Sequence, residues 1–334
     1  MDKFHFPSSS YATCISLMVL LVCRGASGAT FTLINRCEFT VWPGALANAG
    51  STPLESTGFS LESGTSRALR SPSSWSGRFW GRTGCSFDPA TGQLVSCLTG
   101  DCRSGQVECN GAGAQPPVTL AEFTVGSPSS SSGAGAGAAL PDNDYYDVSL
   151  VDGYNLPVLV ETSGGSGLCL STGCVMDMSR ACPAELRDSS GEACRSACEA
   201  FGSPEYCCAG VYASPDSCKP SAYSEMFKVI CPRSYSYAYD DSTSIFTCSG
   251  ADYTITFCPS LSQSQKPAVA NNASWGAEDS GGSGTNPAYT TSSDKRRPWL
   301  PNFATGGAVR NLPRDLYSSL LFIFLHSYLV LVCV

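Results

Sequence analysis

The chain has 334 residues and is acidic: 28 Asp and Glu stand against 20 Lys and Arg, for a net charge of −8 with histidine neutral. Between positions 29 and 258 the imbalance is steeper, 12 basic side chains against 23 acidic ones, a net of −11. Such a field repels phosphate backbones and anionic lipid, so nucleic acid is excluded as a partner and neutral polyhydroxyl polymers, cations and basic proteins remain. The two histidines, His5 and His326, lie in terminal segments expected to be removed. A mature domain without histidine has no Ser-His-Asp or Cys-His nucleophile and no ordinary zinc site. No cofactor and no metal are expected.

Lys3 precedes an apolar run at 14–23 that is too short to span a membrane, and Ala26-Ser27-Gly28 follows. Positive residue, apolar stretch and small residues in that order read as a secretory signal over 1–28, cleaved between Gly28 and Ala29. Of nineteen cysteines, Cys14 and Cys23 fall in the signal and Cys333 in the extreme tail, which leaves sixteen between Cys37 and Cys258. An even number of thiols in an exported chain reads as eight disulfides. If all are bridged, thiolate chemistry is absent and carboxylates are the chemistry that remains.

Residues 29–258 read as one cysteine-framed, mainly β domain. ATFTLINRCEFTVWP, at 29–43, gives two adjacent strands broken at Asn35-Arg36 and Pro43-Gly44. VTLAEFTV and YYDVSLVDGYNLPVLV are further strands, the second turned at Asp152-Gly153, and ADYTITFCP alternates until Pro259 stops it. A low-complexity insertion at 127–139 separates two of these strands and reads as a flexible surface loop. The stretch at about 169–231 holds nine cysteines among small polar residues and forms a disulfide-rich subdomain. Two helices are predicted there. One covers 192–201 and closes at Gly202, placing Cys194 and Cys198 on one face. The other starts after Pro220 with Ser221 as cap, ends before Pro232, and buries Tyr223, Phe227 and Ile230.

Residues 259–303 are rich in Ser, Gly, Asn and Pro and read as a linker. Asn272-Ala273-Ser274 is a glycosylation sequon within it. Ala304-Thr305-Gly306, a polar spacer and an apolar tail at 316–334 form a glycolipid-anchor signal over 304–334, with Ala304 or Gly306 as attachment residue. A retained transmembrane anchor is the rival, but it would carry basic residues after the span. The outer leaflet of the plasma membrane is thus an expected partner, and the protein is placed outside the cell as a monomer.

The fragments TFTLINRCEFTVWPG, GRFWGRTGCSFD, TGDC, PPVTLAEFTV, YYDVSLVDGYNLP, CPAELR, YCCAG, FKVICPRSYSYAYDD and TFTCSGADYTITFCP occur in order. Together, over 29–259, the chain resembles the plant thaumatin-like, pathogenesis-related proteins of the sixteen-cysteine type. The resemblance implies a flattened antiparallel β-sandwich with an adjoining disulfide-rich helix and loop domain. It also implies the pairing Cys37–Cys258, Cys85–Cys97, Cys102–Cys109, Cys169–Cys248, Cys174–Cys231, Cys182–Cys194, Cys198–Cys207 and Cys208–Cys218.

The resemblance further implies an acidic cleft, carried here by Arg78, Glu122, Asp147, Asp152 and Asp241, with Asp240 as an alternative for the last. Carboxylates in a groove accept hydrogen bonds from sugar hydroxyls, so β-1,3-glucan or a related wall polysaccharide is the implied ligand, with an antifungal role. The rival is a weak endo-β-1,3-glucanase with Glu122 and Asp147 as its carboxyl pair. Arg78 counts against that reading because a nearby cation lowers a carboxyl pKa. A protein-binding inhibitor or ligand module is a third reading. Asp101 and Glu108 read as solvated loop charges, and Trp42, Trp75 and Trp80 as core or sheet-face residues, one of which is a candidate sugar platform.

Overall fold

Short runs of β-branched and aromatic residues, punctuated by Gly, Pro and Asn, produce a β-rich structure. The computed structural model of the protein describes residues 27–126 and 143–260. Nearly all of the signal, the insertion at 127–139, the linker from 261 on, Asn272, Ala304, Gly306 and the apolar tail lie outside the described residues. Among the described residues no helix is long and apolar enough to cross a membrane.

Eleven strands are described: β1 (Ser27–Asn35), β2 (Trp42–Ala47), β3 (Ser66–Pro72), β4 (Ser76–Arg82), β5 (Ser86–Phe87), β6 (Leu94–Ser96), β7 (Leu120–Thr124), β8 (Asp144–Ser149), β9 (Val158–Ser166), β10 (Thr172–Cys174) and β11 (Phe246–Phe257). One layer runs β2–β4–β7–β8, all antiparallel, and meets the first residues of β11, where Phe246 lies opposite Tyr146. The other layer runs β10–β9–β11–β1–β3 and is antiparallel except for the β1–β11 pair. The long strand β11 therefore belongs to both layers, and hydrogen bonding is continuous through nine strands. The two N-terminal strand runs are not neighbours. β1 lies between β3 and β11, whereas β2 pairs with β4 in the opposite layer.

Between the layers sits an aromatic core. Phe31 is fully buried, with ring centroids 5.2 Å from Trp75, 5.0 Å from Phe79, 4.8 Å from Phe123 and 5.7 Å from Tyr253. Tilted and edge-on contacts of this kind add to the area buried by each ring. Trp75 and Trp80 are both completely buried, and the Trp80 indole donates to the carbonyl of Gly100 at 2.9 Å, so neither can serve as a sugar platform. Trp42 is half-buried and leans on Phe87, with centroids 6.0 Å apart.

A second buried cluster, built on Leu150, Tyr154, Leu186, Phe227 and the Cys174–Cys231 and Cys182–Cys194 sulfurs, underlies the disulfide-rich stretch. Bridges also join Cys37 to Cys258, Cys85 to Cys97, Cys102 to Cys109, Cys169 to Cys248, Cys198 to Cys207 and Cys208 to Cys218. The first closes a loop of 221 residues, and long closures restrict the unfolded chain most.

Four short helices are described: α1 (Ala197–Phe201), α2 (Pro204–Cys207), α3 (Ala222–Ile230) and α4 (Asp241–Ser244). The helix predicted over 192–201 is confined to α1. Ser196 caps it by accepting from the Glu199 N–H, and Gly202 closes it in the left-handed region. Cys194 lies before the cap in extended backbone, exchanging 2.8 Å hydrogen bonds with Tyr154 in both directions. It therefore does not share a helical face with Cys198. α3 has the expected start, a capping box in which Ser221 and Ser224 satisfy each other's backbone N–H.

Replacing Phe31 with Ala should cost about 3–5 kcal/mol, the range for deleting a buried ring. Guanidinium unfolding of the disulfide-intact domain measures this, and a loss below about 1 kcal/mol would show that the ring cluster does not hold the layers together.

Candidate functional site

Side chains alternate across a strand with a period of two. On β4, β7 and β8 the inward set is Phe79, Ala121, Phe123, Tyr146 and Val148, all in the interlayer core. The outward set includes Arg78, Glu122 and Asp147, each half-buried. The register then aligns them, with Arg78 directly opposite Glu122 and Glu122 directly opposite Asp147. Opposed residues in antiparallel strands have Cβ atoms about 4.5–5.5 Å apart. One cation and two carboxyls thus form a row across three adjacent strands, and Arg78 Nη1 lies 3.8 Å from Glu122 Oε1.

Asp152 reaches the row from the turn after β8. The Gly153 N–H donates to Leu150, and the Val118 N–H donates to the Asp152 carbonyl. Gly153 has φ +87°, and a Cβ there would meet the Cys194 carbonyl oxygen at 2.7 Å, so only glycine turns the chain here without strain. The charge of Arg78 acts on Asp152 as well as on Glu122.

Asp241 opens α4 and is exposed. The Tyr235 hydroxyl donates to its Oδ1 at 2.6 Å. Asp240 does different work: it accepts from the Ser236 N–H and hydroxyl, from Thr243, and from Lys228 at 2.9 Å. Of the two neighbours, Asp241 is the one whose charge bears on Asp147.

Burial raises the pKa of Glu122, against the pull of Arg78 and with the help of Asp152. Burial also raises Asp152, again opposed by Arg78. Asp147 is held well above the ordinary carboxylate range, first by burial and then by the charges of Glu122 and Asp241. Its Oδ1 is buried without a hydrogen-bond partner among the described residues. Arg78 does lower Glu122 and Asp152, as expected of a nearby cation, but desolvation outweighs it. One half-buried guanidinium cannot offset the desolvation of several carboxyls.

Two residues of the site carry no sequence signal by themselves. Tyr235 runs beside β8, its N–H donating to Val148 and its carbonyl accepting from Leu150 at 2.9 Å, so its phenol joins the row next to Asp147. The alternation of SYSYAYDD, in which Ser234 and Ser236 are buried and Tyr235 and Tyr237 are not, is the one pattern that marks it. Glu199 on α1 is pushed up to about 7 by burial and by the charges of Asp152 and Asp188, with Arg195 opposing. It brings a carboxyl from the disulfide-rich stretch to the Asp152 side of the row.

The other named charges are structural. Glu108 fixes a loop rather than floating in solvent, accepting from the Thr57 N–H at 2.6 Å and from the Ser56 and Thr57 hydroxyls at 2.8 Å. Asp101 accepts from the Arg103 N–H in its own turn. Among the described residues no three His, Cys, Asp or Glu side chains converge so as to hold a metal ion.

A model of the thaumatin family matches residues 35–259. Thaumatin-like protein 1 of Arabidopsis thaliana is 66% identical over 238 residues, covering 71% of this chain and 88% of the relative. Pathogenesis-related thaumatin-like protein 3.5 of Cryptomeria japonica is 53% identical over 249 residues, 74% of this chain and 96% of that protein. A Prunus avium protein named glucan endo-1,3-beta-glucosidase is 48% identical over 247 residues, 72% and 95% of the two chains.

A carboxyl whose pKa is raised on folding binds its proton more tightly in the native state. Stability is then full below the unfolded pKa, about 4, and falls as pH rises towards the raised native value. Asp147→Asn should therefore raise the melting temperature at pH 7 and change it little at pH 3.5. Thermal unfolding at the two pH values tests this; equal effects at both would contradict a raised Asp147.

Proposed function

Because the chain belongs to the thaumatin family, we propose that it is a defence-type protein that works outside the cell, binding β-1,3-glucan or a related wall polysaccharide through the groove of Arg78, Glu122, Asp147, Asp152 and Asp241. The observation that carries this reading is the cross-strand row, which sets donors and acceptors side by side. Carboxylates accept from sugar hydroxyls, and Arg78 donates in a fixed fork. Glucan carries no charge, so an acidic domain does not repel it. The eight bridges support an oxidising, extracellular setting.

A second reading is supported by Asp147 specifically. A carboxyl held well above the ordinary range by burial and neighbouring charge, beside a second carboxyl, fits a glycosidase with Asp147 as acid and Glu122 as nucleophile or base. The glucosidase name of the Prunus avium relative fits that reading. Purified domain should be retained on curdlan, and Glu122→Gln should weaken retention about tenfold, the cost of a lost charged hydrogen bond of roughly 1.5 kcal/mol. Reducing ends released from laminarin and lost in Glu122→Gln would establish hydrolysis. Absence of both binding and hydrolysis would overturn the polysaccharide reading and favour a protein ligand.

The ends of the chain complete the proposal. Export through the segment 1–28, glycosylation at Asn272 and a glycolipid at Ala304 or Gly306 replacing the apolar tail would tether the domain to the outer face of the plasma membrane. Phosphatidylinositol-specific phospholipase C should release the protein from intact cells. Protein still membrane-bound, after release of a control anchored protein, would overturn the tether.

A further inference from the structure

On the disulfide-rich stretch, three aromatic rings from three helices meet at the surface. Phe201 ends α1, Tyr206 lies in α2 and Tyr223 in the first turn of α3. Their centroids are 5.6 Å apart for Phe201–Tyr206, 5.4 Å for Phe201–Tyr223 and 6.0 Å for Tyr206–Tyr223. Phe201 is 44% exposed, and the two tyrosines are half-buried. A ring of this size left in solvent gains nothing for the core.

Beside the triangle a small cavity of about 30 Å³ opens to solvent, walled by Tyr206, Tyr223, Phe227, Tyr237, Glu205 and Lys219 among others. That space admits a hydroxyl group rather than a sugar ring, which would lie on the ring faces outside it. The polar groups at its rim are of both kinds. Among the described residues the hydroxyls of Tyr206 and Tyr237 and the carboxylate of Glu205 have no hydrogen-bond partner, while Lys219 Nζ donates only to the Pro215 carbonyl at 3.1 Å.

The triangle is also held rigidly. Cys198–Cys207 ties α1 to α2, Cys208–Cys218 ties α2 to the segment before α3, and the Ser221 capping box fixes where α3 begins. A ligand meeting rings already in place loses little affinity to ordering them.

We infer that the Phe201–Tyr206–Tyr223 triangle and its cavity are a further carbohydrate-binding surface, taking neutral glucan chains on the ring faces in addition to the acidic row. The inference rests on the polysaccharide reading given above. Sugar rings present apolar C–H faces and a rim of hydroxyls, which match exposed aromatic faces bordered by phenols, a carboxylate and an ammonium. Anionic polymers are disfavoured by the acidic balance of residues 29–258, 12 basic side chains against 23 acidic ones. An extended peptide finds no unpaired strand edge here, since helices line the site and their backbone groups are used internally. Two sites on one domain would hold an insoluble polymer more tightly than either alone.

The test compares three proteins on curdlan and on laminaritriose: the unaltered domain, Phe201→Ala/Tyr206→Ala, and Glu122→Gln. The ring variant should lose about five- to tenfold in curdlan affinity, as expected for one aromatic contact, and should keep its laminaritriose affinity in the groove and its melting temperature. Glu122→Gln should retain residual curdlan binding that disappears when the ring substitutions are added. Unchanged curdlan binding in the ring variant, with the unaltered domain binding well, overturns the second site alone. A melting temperature lowered by the ring substitutions moves the test to Tyr206→Phe, where loss of the phenol donor should still weaken curdlan binding, and no change there also overturns the site. Failure of the unaltered domain to bind any glucan overturns both readings.

Discussion

In an antiparallel sheet two residues stay face to face only while the register holds, and a slip of one position turns every side chain to the other face. β4, β7 and β8 are pinned by what lies on their inner side: Phe79, Phe123 and Tyr146 all pack into the ring cluster around Phe31. With that face fixed, the outer one has no freedom. Arg78, Glu122 and Asp147 must stand in a row, and the hydrophobic core thereby determines the spacing of the polar groups. Asp152 and Asp241 join them from turns whose backbone is locked by Gly153 and by the Asp240 network.

Such a row opposes stability. Several carboxyls gathered with one guanidinium are repelled by one another and stripped of water, and the raised pKa values of Glu122, Asp147 and Asp152 are the record of that conflict. A frame cross-linked by eight disulfides tolerates it, because bridges penalise the unfolded chain independently of what the groove contains. Pre-set, poorly solvated carboxyls are ready to meet hydroxyl groups that replace the lost water. The same frame fixes the ring triangle of the disulfide-rich stretch, where no strand register operates and covalent ties set the geometry instead.

Much of this was legible in the residues. The alternating runs at 29–35, 120–124 and 251–257 became strands, and Ser221 became the cap of α3, because propensity and tertiary contacts agree there. β4 was less visible: SGRFWGR holds two glycines and two arginines, and it is a strand because its neighbours pair with it and not because its composition favours one. The helix predicted from 192 failed where Cys194 found a better partner in Tyr154, and a backbone pairing across the fold outweighed local helical character. The five cleft residues followed from resemblance to a family. Only the SYSYAYDD alternation marks Tyr235 and nothing marks Glu199, since what brings them to the row is a bridge to β8 in one case and a capped single turn in the other.

The central claim is that strand register gathers the carboxyls into a surface that receives glucan. The most direct measurement is a crystal structure of the domain grown with laminarihexaose. The account predicts a sugar chain lying across β4, β7 and β8 with its hydroxyls within hydrogen-bond distance of Glu122 and Asp147. A chain bound elsewhere with the row left to water, or carboxyls found on separate surfaces, would contradict it.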